Sequence, residues 1–488
     1  MRIMPSLRQA CLMVGAVLLG AGVAAQDEGR QRGNKGRNEA PQAEGRGPAH
    51  VPQPFTANPV FDVVLGRVAD HSVAVSLLSY LSDTTVQLRY GVEGGTLGAP
   101  TNVVLQRGTP NHHLLAGLRP DTGYHYQVQG GDGAILAQGR FHTARPVGSR
   151  FTVTLTADSH LDQNTSVPLY RQTLANALAD APDFHIDLGD TFMTEKHADR
   201  ASAAQQYLAQ RFYFGEVAHS LPIFLVLGNH DGEDVRHRKS GAESLAVWSN
   251  AQRKRYFPNP GPDDFFSGNP ALDPYAGLLQ DYFAWTWGDA LFVVLDPYWH
   301  APERRSDERW NLSLGSAQYQ WLQRTLAASK ARYKLVFVHQ LLGGVDRAGR
   351  GGVEAVPFGE WGGANADGTP GFAEHRPGWP VPIQEMLKRH GVTAVFHGHD
   401  HLYVAQTIDG MAYQEVPQPG HPGNTAARMA AAYGYVQGVA LGESGHLRLR
   451  FEPQQLVVDL VGSAVTRDGR SAPDNARVLH SYVLKPLN

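Results

Sequence analysis

Residues 223–231 read IFLVLGNHD, five apolar residues followed at once by Gly228, Asn229, His230 and Asp231. An apolar, β-branched run of this length, bounded by glycine or polar residues, is typical of a buried strand. Four other runs end in the same way: residues 151–160 (FTVTLTADSH), 184–190 (FHIDLGD), 335–339 (LVFVH) and 392–401 (VTAVFHGHDH). The sequence therefore predicts five buried strands that each deliver aspartate, asparagine or histidine at the carboxyl end.

These polar side chains are of the types that bind metal ions through nitrogen and oxygen. In open α/β sheets, ligands bind in the crevice beyond the carboxyl ends of the strands. Asp158 and His160 lie two residues apart, so both can turn to the same side just past a strand end. Seven candidate ligands, one of them shared, make two four-ligand sites that leave positions open for water and substrate: Asp158, His160, Asp190, Asn229, His339, His399 and His401.

Composition narrows the chemistry further. The single cysteine, Cys11, lies in the N-terminal targeting segment described below, so the metal ligands must be nitrogen and oxygen donors rather than thiolates. The formal net charge is −3, and the folded part of the chain carries no basic block. No nucleic-acid partner is therefore expected.

The first residues are typical of a targeting segment. Arg2 and Arg8 precede the apolar stretch 12–22, which is too short to span a bilayer, and the small residues 23–25 (VAA) follow it. This pattern predicts a signal peptide over residues 1–25, with an uncleaved membrane anchor as the alternative. Residues 26–53 are rich in Gly, Arg, Glu and Pro and are predicted to be a disordered linker. We expect an exported protein, periplasmic or extracellular, with no transmembrane segment in the mature chain.

Two folded regions follow the linker. Residues 54–147 contain short alternating strands separated by turns, which predicts a small antiparallel sandwich. Residues 150–488 alternate strands with helices and form one large α/β domain. Two stretches of that domain, residues 231–277 and 341–380, read as long irregular loops, which in compact domains are usually functional lids or mobile insertions.

The ordered blocks D-x-H, G-D, G-N-H-D, a lone His and G-H-x-H resemble the calcineurin-like metallophosphoesterase superfamily. Residues 118–124 (LRPDTGY) resemble the L-x-P-x-T-x-Y stretch of fibronectin type III domains, and the domain order resembles that of purple-acid-phosphatase-like members. The resemblance implies an α/β fold: a four-layer metallophosphoesterase β-sandwich flanked by helices, preceded by a small all-β fibronectin type III-like sandwich.

The resemblance also implies a role for each residue of the motifs. Asp158, His160 and His401 hold the first metal, Asn229, His339 and His399 hold the second, and Asp190 bridges the two. A metal-bound hydroxide attacks phosphorus, His230 protonates the leaving group and Asp231 orients His230. The cofactor is a pair of divalent or trivalent ions (Mn, Fe or Zn). Because Met193 stands where purple acid phosphatases carry a tyrosine ligand, a purple Fe(III) enzyme is not expected.

The substrate is expected to be a small-molecule phosphate ester. We predict a phosphomonoesterase. The alternative is a phosphodiesterase that acts on a cyclic nucleotide, a phospholipid headgroup or nucleic acid. The non-enzymatic alternative is an envelope-binding protein, and the N-terminal sandwich could contact a cell-envelope surface. Arg347 and Arg350 are candidates for phosphate binding, while His375, Trp361 and Trp379 could line a specificity wall. A solvated or packing role is the alternative for each of these residues.

Overall fold

The computed structural model describes residues 59–302, 308–422 and 426–486. The predicted signal peptide and linker lie outside the described residues. Among the residues that are described, no helix combines the length and apolar character that crossing a membrane requires.

The N-terminal region forms the expected sandwich of two antiparallel sheets. Its strands are β1 (Phe61–Gly66), β2 (Ser72–Ser79), β3 (Thr84–Val92), β4 (Thr101–Leu105), β5 (Asn111–Ala116), β6 (Gly123–Gln129) and β7 (Ile135–His142). Strands β1, β2 and β5 pair in one sheet, and the other has the order β4-β3-β6-β7. Tyr124 and Tyr126 point inward from β6, and the Tyr124 hydroxyl accepts the Arg119 N–H at 2.9 Å. The bounds 54–147 stay a prediction.

Within its described residues, the larger region contributes sixteen further strands and eight helices. The strands are β8 (Phe151–Thr156), β9 (Phe184–Asp187), β10 (Ile223–Leu225), β11 (Ser267–Gly268), β12 (Leu272–Asp273), β13 (Gly277–Leu278), β14 (Phe283–Trp287), β15 (Ala290–Val294), β16 (Tyr333–Phe337), β17 (Ala394–His397), β18 (Tyr403–Ile408), β19 (Met411–Glu415), β20 (Val439–Leu441), β21 (Gly445–Glu452), β22 (Gln455–Gly462) and β23 (Val478–Leu484). The helices are α1 (Val167–Ala179), α2 (Arg200–Ala218), α3 (Leu245–Tyr256), α4 (Gly315–Ala328), α5 (Gly359–Gly362), α6 (Phe372–His375), α7 (Ile383–Arg389) and α8 (Ala426–Ala432).

The five strands that carry the sequence motifs belong to two sheets. Strands β8, β9 and β10 are parallel neighbours in a nine-stranded sheet of order β23-β22-β21-β8-β9-β10-β1-β2-β5. Strands β16 and β17 are parallel neighbours in an eight-stranded sheet of order β11-β14-β15-β16-β17-β19-β18-β20. The first sheet runs into the N-terminal sandwich through β10 and β1, which share the single register pair Gly66–Ile223.

Aromatic side chains fill the space between the two large sheets. The ring of Phe224, on β10, stacks on Trp285, on β14, with centroids 4.5 Å apart. Phe184, on β9, packs edge-on against Phe292, on β15, at 5.2 Å. These rings belong to one continuous core that also includes the sandwich, so the two sheets are held face to face.

Helices cover the outer faces of both sheets. Buried residues of α1 and α2 pack with Ile223 and Leu225 of β10, while α4 and α7 pack against Val293 and Val336 of the second sheet. The layers are therefore helix, sheet, sheet and helix, which confirms the predicted four-layer fold with an all-β sandwich before it.

The predicted irregular stretch 231–277 is wrong in one respect, because it contains the 12-residue helix α3. Ser244 caps this helix by accepting the N–H of Val247. Its buried face is partly polar, since Arg253 forms a buried ion pair with Glu233 at 2.6 Å. Without an apolar stripe, the sequence gives little sign of the helix.

Candidate metal centre

All seven candidate ligands follow the carboxyl ends of their strands. Because β8, β9 and β10 are parallel to one another, as are β16 and β17, each group of ends meets at one edge of its sheet. The face-to-face packing of the sheets brings the two edges together. Two groups of candidate ligand atoms result, each within 4.8 Å of one another: Asp158, His160 and His401, and Asp190, His339 and His399. The first two residues of each group are buried, and His401 and His399 are partly exposed.

The first group is centred on Asp158. Its Oδ1 atom lies 3.8 Å from Nε2 of His160 and 3.6 Å from Nε2 of His401. The two imidazole rings meet edge to face with centroids 4.5 Å apart. The other oxygen of Asp158 accepts the backbone N–H of His399 at 2.8 Å, which fixes the orientation of the carboxylate.

The second group includes Asn229. The Oδ1 atom of Asn229 lies 3.0 Å from Nε2 of His339 and 2.9 Å from Nδ1 of His399. The other nitrogen of each ring is a donor to a backbone carbonyl: Nδ1 of His339 bonds to Leu188 O at 2.8 Å, and Nε2 of His399 bonds to Ala348 O at 2.7 Å. Such bonds fix the tautomer of a metal-binding histidine.

Asp190 belongs to the second group and also lies close to the first. Its Oδ2 atom is 3.7 Å from Nε2 of His160 and 3.5 Å from Nε2 of His339. Its Oδ1 atom accepts the backbone N–H of His230 at 2.8 Å. One oxygen thus faces both groups at once, as a bridging ligand requires.

The residues fit a pair of ions rather than a hydrogen-bonded network. Two ligand atoms bound to one zinc-sized ion at about 2.0–2.2 Å lie at most about 4.4 Å apart. The spacings of 3.5–3.8 Å around Asp158 and Asp190 are too long for hydrogen bonds and suitable for shared coordination. Oδ1 of Asp158 and Nε2 of His160 are buried without a hydrogen-bond partner, which is rare unless an ion or water satisfies them.

The charges at the centre also favour a cation. Burial lowers the pKa of His160 and His339, but the carboxylates of Asp158 and Asp190 outweigh it and raise the pKa to about 9 and about 10. Burial raises the pKa of Asp190, but the charge of His339 outweighs this and holds it well below its usual range. A potential that retains protons on buried rings also attracts metal ions.

His399 and His401 are in the opposite situation. Burial, together with the charge of His339, lowers the pKa of His399 to about 4. Burial, together with the charge of His160, lowers the pKa of His401 to about 3. Both rings are therefore neutral at physiological pH, which is the form in which imidazole binds a metal.

Five of the seven candidate ligands have a left-handed backbone conformation. Their φ angles are 56° (Asp158), 48° (His160), 53° (Asp190), 82° (His399) and 66° (His401). Non-glycine residues adopt this conformation rarely, and clusters of such residues mark functional sites. The left-handed residues lie just past the ends of β8, β9 and β17, where the chain leaves each strand.

The expectation that Asp231 orients His230 is corrected by the structure. The Asp231 carboxylate is buried and accepts the backbone N–H groups of Asp190, Phe192 and Gly228 at 3.1, 2.7 and 2.8 Å. Burial and the charge of Asp190 raise the pKa of Asp231 to about 7. Asp231 therefore holds the loop that carries Asp190.

Glu195 is the residue that contacts the side chain of His230. Its Oε1 atom accepts the N–H of His230 Nδ1 at 2.6 Å. Sequence reasoning missed Glu195, since it follows no strand and belongs to no recognised block. Its only signal is its position five residues after Asp190, in a short 3-10 turn over Thr194–Lys196.

The two arginines proposed for substrate binding differ in their surroundings. The guanidinium of Arg350 lies over the ring of Tyr433 at 4.4 Å and 3.3 Å from the carboxylate of Asp346. These contacts hold Arg350 between Asp346 of its own loop and Tyr433, which follows helix α8, and its role in phosphate binding stays a prediction. Arg347 is exposed and precedes Ala348, whose carbonyl binds His399, and its role stays a prediction.

For the three residues of the suggested specificity wall, the structure shows the packing contacts of the alternative interpretation. Trp361 is fully buried and donates its indole N–H to Tyr413 at 2.8 Å. Trp379 stacks on Tyr319 at 4.0 Å, and His375 stacks on Trp310 at 4.4 Å. Trp361 thus packs the 341–380 loop against the second sheet, and Trp379 packs it against helix α4.

A third group of possible metal ligands consists of Asp281, Asp296 and His300. The oxygens of Asp281 accept from Asn269 at 3.2 Å and from His300 at 3.1 Å. Oδ1 of Asp296 accepts the backbone N–H of Tyr298 at 2.8 Å. Hydrogen bonds satisfy this group without an ion, and we assign it a structural role.

Comparisons with known proteins agree with this geometry. The family model described as calcineurin-like phosphoesterase matches residues 151–403. Among solved structures, the chain is similar to PhoD, with 15% identity and a TM-score of 0.62 over 89% of this chain and 93% of that one. It is also similar to the purple acid phosphatase PPD1 of yellow lupin (Lupinus luteus), with 14% identity and a TM-score of 0.56 over 87% of this chain and 73% of that one. At such identities the likeness concerns the fold, and no curated protein matches the sequence.

Proposed function

The chain belongs to the calcineurin-like phosphoesterase family, and we propose that it is an exported phosphomonoesterase that uses two metal ions. It is a metal-dependent phosphoric ester hydrolase; the preference for monoesters, the export and the ligand assignment are the proposal. The observation that carries it is the position of Asp190, with one oxygen 3.7 Å from His160 and 3.5 Å from His339. That oxygen links two groups of ligands into one centre.

The ligand assignment follows the two groups. Asp158, His160 and His401 would hold one ion, Asn229, His339 and His399 would hold the other, and Asp190 would bridge them. When bound, such a pair lowers the pKa of a water molecule and neutralises phosphoryl oxygens. The identity of the ions is left between Mn, Fe and Zn, all of which accept histidine and carboxylate ligands.

The side chains of the protein supply positioning and a proton. In the hydrolysis, water loses a proton to solvent and forms a new bond to phosphorus, and the ester P–O bond breaks. The departing alcohol oxygen takes a proton from His230, which regains one from solvent. The Glu195 bond to Nδ1 of His230 leaves Nε2 as the nitrogen that delivers this proton. The backbone N–H of His230, bonded to Asp190, ties the proton donor to the metal bridge.

The monoester preference is supported by the domain order and by the likeness of the whole fold to a purple acid phosphatase. It is tested by hydrolysis of p-nitrophenyl phosphate against bis-p-nitrophenyl phosphate, each with added Mn²⁺ and with chelator. A chelator-sensitive preference for the monoester is the expected result. A preference for the diester would reverse the proposal and direct the search to phospholipid headgroups or cyclic nucleotides.

The bridging role is tested by Asp190→Asn, which removes the shared charge and keeps the shape. We expect loss of Mn²⁺-dependent turnover and a metal content below two ions per chain by elemental analysis. Asp459→Asn is the matched control, because Asp459 is buried against Arg448 and Arg450 on β22 and β21, outside the metal centre. Unchanged metal content and turnover in Asp190→Asn would contradict the dinuclear model.

Export is proposed from the N-terminal pattern of basic, apolar and small residues in 1–25. Cell fractionation checks it, since deletion of these residues should retain the protein in the cytoplasm. Contact of the N-terminal sandwich with a cell-envelope surface stays a prediction, and co-sedimentation of the full chain with envelope fragments checks that.

A further inference from the structure

One carboxylate holds two histidines beside the candidate metal centre. Oε1 of Glu195 accepts from Nδ1 of His230 at 2.6 Å, and Oε2 accepts from Nε2 of His237 at 2.8 Å. The side chains of His230 and His237 are 23% and 26% exposed, whereas that of Glu195 is 16% exposed. Both rings therefore reach solvent while the group that holds them is largely covered.

The backbone on both sides of this contact is fixed. The N–H of Glu195 donates to His230 O at 3.3 Å. The 3-10 turn Val235–His237 is capped by Asp234, which accepts the N–H of Arg236, and the N–H of Val235 donates to Tyr298 O at 3.3 Å. The two imidazoles are thus presented by two anchored turns rather than by free loops.

Glu195 has the charge that this role requires. Burial raises its pKa, but the hydrogen bonds from His230 and His237 outweigh burial and hold the pKa well below its usual range. Arg236 lies 4.0 Å from the same carboxylate and is itself paired with Asp234 at 2.8 Å. An ionised carboxylate can accept from both rings at once, because each of its oxygens accepts and neither donates.

We infer that Glu195 positions His230 and His237 as a pair, and that His237 is a second substrate contact that binds the phosphate group. The inference rests on the proposed function, since it assigns roles at the same centre. Bonding to Glu195 leaves Nε2 of His230 and Nδ1 of His237 as the nitrogens open to other partners. His230 supplies the proton to the leaving group, and His237 holds a phosphoryl oxygen.

The three residues predict three different phenotypes in the full, Mn²⁺-loaded protein. His230→Ala should lower kcat for aryl phosphates with poor leaving groups by about 10²-fold, the usual contribution of a general acid. His237→Ala should weaken binding of inorganic phosphate about tenfold, as expected for loss of one charge-assisted hydrogen bond, and should raise KM more than it lowers kcat. Calorimetry measures phosphate binding independently of turnover.

Glu195→Gln should show both defects together. The amide of glutamine has one acceptor oxygen, so it can hold only one of the two rings. Added to the double variant His230→Ala/His237→Ala, the same substitution should change neither kcat nor phosphate affinity further, because residues that act through one another are not additive. Glu216→Gln is the control: Glu216 pairs with Arg171 on the outer helices at 2.6 Å, and both parameters should stay within about twofold of the wild type.

Two results would overturn the inference. One is a Glu195→Gln variant with wild-type phosphate affinity and wild-type dependence on the leaving group. The other is a His237→Ala variant that binds phosphate as Glu216→Gln does, a comparison that remains decisive even where Glu195→Gln does not fold. Failure of the proposed function is distinct, since it appears as a wild-type protein with no Mn²⁺-dependent turnover of any ester.

Discussion

Gly228→Ala is a severe test of the centre, because it adds one methyl group at the closest approach of two motif loops. A Cβ atom on Gly228 would lie 2.1 Å from the backbone nitrogen of Asp190 and 2.2 Å from its Oδ1 atom. Real Cβ atoms essentially never come closer than 3.0 Å to another heavy atom. Asp190 or Gly228 must therefore move by about 0.9 Å, the difference between these two distances.

A displacement of this size falls on the Asp190 carboxylate, which is the proposed bridge between the two ions. Misplacement of a catalytic group by about 1 Å can reduce turnover about 10²-fold, and overpacking of a buried site usually costs about 1–3 kcal/mol of stability. We expect Gly228→Ala to lose Mn²⁺ on gel filtration and to retain about 1% of wild-type kcat/KM for p-nitrophenyl phosphate. Elemental analysis, steady-state kinetics and calorimetric unfolding measure the three effects.

Gly131→Ala provides the matched control, because a Cβ there would meet no atom within 4 Å. This variant should differ from wild type by no more than about 0.5 kcal/mol in stability and should keep its metal. A Gly228→Ala protein with two bound ions and kcat/KM within about threefold of wild type would refute the reasoning. It would mean that Asp190 can move by the required distance without consequence and is not a precisely placed bridge.

Two further predictions concern stability. Arg211→Met should lower the free energy of unfolding, measured with denaturant, by about 3–5 kcal/mol, since it leaves Asp62 buried without the guanidinium that now bonds it at 2.7 Å. Arg171→Met, at an exposed pair, should lower it by less than about 1 kcal/mol. Equal losses in the two variants would contradict this prediction. Burial and the charge of Asp281 raise the pKa of Asp296 from 3.8 to about 7, so the native protein should lose stability as pH rises through this window. Asp296→Asn should remove that loss, so the difference in Tm between variant and wild type should change between pH 5 and pH 8. A difference that is the same at both pH values would contradict the prediction.

The sequence predicts the centre well where local pattern determines position. Asp158, Asp190 and Asn229 each follow an apolar run. At the end of a buried strand the chain leaves the sheet, and a polar side chain there can line a site instead of packing in the apolar core. The motifs at the strand ends are therefore enough to predict that the candidate ligands lie together. That the strands divide between two sheets depends on pairing across long sequence separations, which no single run encodes.

Roles decided by tertiary contacts were predicted poorly. The family resemblance implies that Asp231 orients His230, yet the Asp231 carboxylate bonds to backbone N–H groups. Glu195 reaches His230 from a turn 35 residues away in sequence. Trp361 and Trp379 occur in a glycine-rich stretch that reads as a lid, but their burial depends on partners such as Tyr413 and Tyr319, which lie outside it.

The left-handed backbone at five of the candidate ligands has an evolutionary consequence. For a non-glycine residue this conformation costs about 1–2 kcal/mol relative to ordinary backbone, and glycine would adopt it without that strain. Selection for stability alone would therefore favour glycine at Asp158, His160, Asp190, His399 and His401. In homologues that have lost the metal centre, we expect these positions to change to glycine or asparagine first. Such substitutions in a homologue's sequence would therefore indicate loss of activity without the need for its structure.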